Sequence, residues 1–392
     1  MRVLFAISLV FSGLFILGCN KGPTDFKKSK SLLKGKIVVI DSIILKPDSV
    51  PYLNFFFDRY SDGYFISSDQ NGQVYLLDTA GNLRSPVGKK GKGPGEYQRP
   101  VGLYAAAIDS IFVAEFYSGK ILLYDSDGSF MESWDVVRDD PFNTFATFNN
   151  FLSVSSDENK KLVIEYLGRS DRNNNISSPK YYQEARLVTI FKSESNSYKH
   201  IVPFEEGSPY RGNQYFLSPL DPRVTKSKDD QYAVVFPHED AIYLYSSDGD
   251  LIRRIDGRSD FFPAAKGVSF DKRDSEFGRD YVKYNVKQNA INYLSVHFFE
   301  SGDSLTLISK QYEAPVRDAS LPDDLNTLKF LFYERDSYLQ FFSIDGSKIF
   351  ADIKQPRALR ELVYAESLDF LIFKSEPKLA ERNILYVAKI IF

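Results

Sequence analysis

A single cysteine, Cys19, rules out any disulfide within the chain. The three histidines, His200, His238 and His297, recur at no common place in the sequence pattern, which argues against a ring of imidazoles around a metal. No Gly-x-Ser-x-Gly elbow is present, so the serine hydrolase chemistry that depends on it is not expected. Neither sign of charge dominates: 49 Lys+Arg face 52 Asp+Glu, a net −3. That balance lacks the basic footprint of a nucleic-acid binder, and no nucleic acid is expected as a partner. Long helical periodicity is missing too, and no apolar run is long enough to span a bilayer comfortably.

The one extended apolar run, residues 3–17, follows Arg2 and ends in Ile16-Leu17-Gly18-Cys19. Its length suits the h-region of a signal peptide. The ending resembles the bacterial lipobox, in which cleavage precedes a cysteine that is then lipid-modified. The expected organisation is a lipoprotein signal peptide over residues 1–18 and a polar, basic tether over residues 19–35. Acyl chains on Cys19 would bind the lipid bilayer without spanning it.

The chain as a whole is rich in what strands prefer, with 15% aromatics, among them 25 Tyr and 33 Phe. A short pattern recurs at residues 73–83, 120–130, 241–251 and 338–348: an apolar strand, a tight turn ending in glycine, and another strand. The turn glycines are Gly81, Gly128, Gly249 and Gly346. Residues 187–201 have the same shape without the glycine, and residues 368–392 read as a last strand pair with nothing after it. A repeat of about 40–50 residues built from four antiparallel strands is a propeller blade. The expected fold is all-β, a six-bladed β-propeller, with insertions leaving seven or eight blades open. Residues 36–45, far from any partner in sequence, are expected to supply the missing outer strand of the final blade and close the ring.

The segment VGKKGKGPGEYQRPVGL, residues 87–103, invites comparison with a phosphate-binding loop. It fails on detail. Pro94 follows Gly93 where a P-loop needs Lys, no Ser or Thr comes next, and the chain continues as a strand. Without a helix N-terminus the anion has no row of free N–H groups.

Residues 88–130 instead resemble one NHL-type propeller repeat. Together with Gly93-Pro94-Gly95-Glu96-Tyr97, they are similar to the six-bladed β-propeller lipoproteins of the Bacteroidota. The resemblance implies a fold and a cell-envelope location, with the outer membrane as the expected anchor. Surface-exported members of that group carry acidic residues after the cysteine; here Asn-Lys-Gly-Pro-Thr follows, which favours the periplasmic face.

In such a blade the connector from the outer strand to the next inner strand shares a face with the loop between the second and third strands. Any site is therefore expected on that loop face. Its candidates are Asp69, Lys89, Lys92, Glu96, Tyr97, Arg99, Glu115, Tyr117, His238 and Glu239. The long connector at residues 257–289 joins the same face, with room for a short helix in its later half. Residues 157–186 read as a surface excursion, and Phe55-Phe56-Phe57 as an inner strand. No metal or cofactor is expected, and no catalytic motif assigns a reaction. The favoured reading is a non-enzymatic module binding an envelope protein, peptide or glycan. The alternative is a carbohydrate- or peptide-directed hydrolase or lyase using carboxylates such as Glu96 and Glu115.

Overall fold

The turn that recurs in the sequence explains itself in atoms. In the first copy, Asp78 Oδ1 accepts from the N–H of Ala80 (2.9 Å) and of Asn82 (2.8 Å), while Gly81 N–H donates to Asp78 O. Asp125 repeats the arrangement with Asp127 and Ser129, and Ser246 takes the aspartate's place in a third copy. The four glycines hold φ between +79° and +92°, the left-handed region that disfavours other residues. In the copy without glycine, Asn196 adopts φ +46°. Asparagine tolerates that region better than most residues, so the turn survives the substitution.

The computed structural model describes residues 32–45, 54–59, 65–68, 71–107, 110–136, 143–146, 152–156, 162–170, 179–212, 214–215, 222–237, 239–259, 267–272, 292–301, 305–314, 335–375 and 384–391. Most of their strands build six antiparallel sheets of four or five strands, the blades, numbered in chain order. Blade 1 runs from Asn54–Arg59 through Phe65–Ser68 and Val74–Leu77 to Leu83–Val87. Blade 2 comprises Pro100–Ala107, Ser110–Glu115, Lys120–Tyr124 and Phe130–Asp135. In blade 3 the long strand Leu162–Ser170 pairs with both Asn143–Ala146 and Leu152–Ser156, then with Arg186–Lys192, which pairs with Ser197–Pro203. Blade 4 holds Arg223–Lys226, Tyr232–Val235, Ala241–Tyr245 and Leu251–Asp256. Blade 5 holds Asn292–Ser301, Leu305–Glu313, Ser337–Ser343 and Ile353–Lys354.

Blade 6 carries the closure. Leu359–Ser367, Phe370–Ser375 and Ile384–Ile391 come from the C-terminal end, and Lys36–Ile44 adds the fourth strand. It pairs antiparallel with Ile384–Ile391, from Lys36 opposite Ile391 to Ile44 opposite Ile384, with one bulge between Val39 and Asp41. The expected closing strand is therefore present.

Most neighbouring blades meet through their inner strands. Asn54–Arg59 touches the inner strands of both blade 2 and blade 6, and Asn292–Ser301 touches those of blades 4 and 6. Blade 2's inner strand meets Leu152–Ser156, and blades 3 and 4 share a core of Val188, Ile201, Val224, Tyr232 and Val234. At the rim, each glycine turn leans on the outer strand of the preceding blade. A side chain at Gly128 would strike Pro86 O, at Gly249 it would strike Ile201, and at Gly81 it would strike Ile44 O. The first turn thus locks onto the closing strand.

One sequence expectation needs correction. Residues 157–186 are not all excursion, because Leu162–Ser170 is an interior strand of blade 3 and the short helix Pro179–Glu184 buries Tyr181 and Tyr182. Its charged residues alternate with Val163, Ile164 and Leu167, which a composition-based reading hides. In the connector after blade 4, Val268–Ser269 pairs with Gln214–Tyr215 and is followed by a single 3₁₀ turn, Phe270–Lys272; its later half lies outside the described residues. Residues 55–57 do lie on the inner strand of blade 1. No helix among the described residues is long and apolar enough to cross a membrane.

Candidate functional site

The glycine-rich segment is a joint between blades 1 and 2. Lys89–Lys90 runs parallel to Glu96–Tyr97, and Gly93 N–H donates to Glu96 Oε2 (2.8 Å). Gly95 holds φ +69° because the Phe130 ring occupies the space a side chain would need. Tyr97 anchors the joint. Fully buried, it donates its hydroxyl to Val87 O (2.6 Å) and accepts from Val74 N–H (2.9 Å), with Tyr124 edge-on at 6.3 Å.

The joint shares a face with the neighbouring loops. Lys90 Nζ donates to Asn71 O (2.6 Å), Arg99 N–H to Glu115 Oε1 (3.2 Å) and Phe116 N–H to Arg99 O (3.0 Å). Buried Glu115 also accepts from Ser118 N–H (2.5 Å). Burial would raise its pKa, but the bonds from Ser118, Tyr117 and Arg99 outweigh that and hold it below the ordinary value. Over this fixed loop the Arg99 guanidinium lies 4.6 Å from the Phe116 ring centre, and Tyr117 meets Phe116 edge-on at 5.4 Å. Tyr117 is 66% exposed, the highest value among the large apolar side chains described.

Blade 4 repeats the connector-to-loop contact with buried groups. Ser208 Oγ donates to Glu239 Oε2 (2.9 Å), Tyr243 donates to Glu239 Oε1, and Tyr210 donates to Pro237 O. Burial lifts the Glu239 pKa despite Tyr243, Ser208 and the charges of Arg254 and Lys310. Deeper in the ring, inner strands bring Arg223 of blade 4, His297 of blade 5 and Glu361 of blade 6 into electrostatic contact. Lys374 Nζ lies 3.3 Å from Glu361 Oε2. Burial raises the Glu361 pKa less than Lys374, Arg223 and His297 lower it; burial keeps the His297 imidazole below its ordinary value.

A family model described as 6-bladed beta-propeller, DUF5128, matches residues 58–296. The chain belongs to that family. Among solved structures, a member of the DUF4221 family from Bacteroides vulgatus superposes with a TM-score of 0.66 at 10% identity, over 91% of this chain and 99% of that one. A Bacteroides fragilis protein described as exported gives 0.51 at 14% identity, over 91% and 96%. At these identities the likeness shows the propeller fold alone. No curated protein matches the sequence.

Within this six-bladed frame the predicted residues divide. Lys89, Lys92, Arg99 and Tyr117 are exposed on the loop face, and Glu96 is half-buried with Lys89 at 3.8 Å. Tyr97, Glu115 and Glu239 are buried and used in holding the face together. Asp69, His238 and Cys19 lie outside the described residues. Sequence reasoning missed Arg223, His297, Glu361 and Lys374. Their one signal was a charged or ionisable residue within apolar strands such as YLSVHFF and LRELVYA. Among the described residues no three His, Cys, Asp or Glu side chains are grouped so as to hold a metal.

Lys310 links the loop face to the interior. Fully buried, it donates to Asp240 O (2.8 Å) and Gly257 O (2.6 Å), and burial lowers its pKa to about 7 against the attraction of Asp240 and Asp352. The folded chain therefore binds fewer protons than the unfolded one between about pH 7 and the ordinary lysine value. Stability must rise with pH through that window, and the penalty is complete below it. Relative to Lys310→Met, the native protein should gain up to about 1.4 kcal/mol per pH unit between pH 8 and 10. Urea denaturation of both proteins across that range measures it, and parallel curves would refute it.

Proposed function

We propose that this chain is a non-catalytic recognition module. It is tethered to the cell envelope through acyl chains on Cys19 and engages an envelope protein or peptide through the loop face of blades 1 and 2. The observation that carries the reading is the Arg99–Phe116–Tyr117 group. Exposed tyrosine and arginine are the side chains most enriched at binding hot spots, and rigid support lowers the entropic cost of docking. Glu115 supplies that support from below. Lys89 and Lys92, exposed on the joint that carries Arg99, add positive charge suited to an acidic partner.

Purification of the lipidated protein from its own membrane after mild cross-linking tests both halves. A stoichiometric protein partner is expected, reduced at least about tenfold by the Arg99→Ala/Tyr117→Ala variant, in line with loss of two hot spots. Cys19→Ser should release the chain to the soluble fraction. A protein recovered alone, or a glycan recovered in place of a protein, overturns the partner assignment. Unchanged membrane retention of Cys19→Ser overturns the anchor.

A further inference from the structure

The inner-strand group of blades 4–6 presents two acceptors with no hydrogen-bond donor among the described residues. His297 Nε2 lies 2.9 Å from Leu362 O, on the inner strand of the next blade. A carbonyl can only accept, so Nε2 carries the proton and the neutral ring leaves Nδ1 as an acceptor. Nδ1 makes no hydrogen bond among the described residues, and neither does Glu361 Oε1, since Lys374 lies against Oε2. The Glu361 side chain keeps 36% of its surface open. Arg223, His297 and Glu361 all sit on inner strands, the strands that line the central axis of a propeller.

The surrounding charges select what such a spot can hold. Arg223 and Lys374 oppose a divalent cation or an ammonium group at the two acceptors. The Glu361 carboxylate opposes an anion. A neutral ligand with several hydroxyls meets neither obstacle, because hydroxyls donate to a carboxylate and to an imidazole nitrogen alike. We propose that the axial end of blades 4–6 is a binding site for a neutral sugar or polyol, with Glu361 Oε1 and His297 Nδ1 accepting from its hydroxyls. Glu361 is held ionised by its neighbours and His297 neutral by burial, the protonation states this arrangement requires. The site is independent of the loop-face reading and uses none of its residues.

Calorimetric titration of the mature protein with glucose, galactose, mannose and glycerol, with no envelope partner present, tests the proposal. Saturable binding of at least one is expected, weakened at least about tenfold by Glu361→Gln, which removes the charge that strengthens the hydrogen bond. His297→Gln retains an N–H for Leu362 O and removes the ring acceptor, so it should weaken binding while leaving the melting curve unchanged. If Glu361→Gln fails to fold, His297→Gln decides. Absence of binding to all four probes, tighter binding of acetate or methylammonium, or native affinity in the folded variants overturns the proposal. Because sugar affinity and partner capture are read in separate experiments, either reading can fail alone.

Discussion

Deleting residues 36–45 is expected to abolish cooperative unfolding of the propeller. The strand Lys36–Ile44 supplies the entire outer edge of blade 6, register-paired along Ile384–Ile391. Its Ile37 is buried in the core shared by blades 5 and 6, and Leu45 in the core that joins Leu77 of blade 1 to Ile372 and Leu385 of blade 6. Removing two such side chains alone costs about 2–5 kcal/mol each, comparable to the whole stability of many domains. The deletion also strips Gly81's turn of the Ile43–Ile44 surface it packs on, and leaves Ile384–Ile391 as a bare edge open to other chains. Circular dichroism melting and size-exclusion chromatography measure the outcome. A broad or absent transition with soluble oligomers is expected. A monomer melting as sharply as the intact chain would show that the C-terminal strands hold the ring without closure.

That strand was legible in the sequence because its signal is local: an apolar, β-branched run with no neighbour to pair with. The turn glycines were legible for the same reason, since Gly81, Gly128, Gly249 and Gly346 each answer a positive φ within a few residues of chain. Asn196 shows the limit, because the blade kept its turn while the glycine that marked it was replaced. The loop-face assignment followed from strand order, and Arg99, Phe116 and Tyr117 do meet there. What sequence could not separate was exposed from buried polarity. Tyr97, Glu115 and Glu239 look like surface residues until the partners that bury them are known. Glu361 and His297 become neighbours only when blade 6 returns beside blade 5, a contact with no trace in local pattern.

The same distinction governs the junction of blades 3 and 4, where Lys226→Met should cost about 3–5 kcal/mol. Glu165 of Leu162–Ser170 is buried, and its carboxylate lies 2.9 Å from Lys226 Nζ on the inner strand of blade 4. Tyr232 donates to the same carboxylate at 2.6 Å, and Asp230 lies 2.9 Å from the lysine's far side. Methionine fills the lysine's volume but leaves Glu165 charged in a place water does not reach, which is why the loss exceeds that of a surface ion pair. Urea denaturation should place the single variant well below the native protein. Glu165→Gln/Lys226→Met should recover most of the difference, since no uncompensated charge remains and Tyr232 keeps an acceptor. The sign with pH is fixed as well. Burial lowers the Lys226 pKa, but Glu165 and Asp230 raise it further, so its folded value lies above the ordinary one. The contribution is complete below the ordinary lysine pKa and is lost as pH climbs through the raised value. A single variant as stable as the native protein, or a double variant no better than the single, would mean that the pair does not hold these blades together. The junction would then rest on the apolar core that includes Val188, Ile201 and Val224.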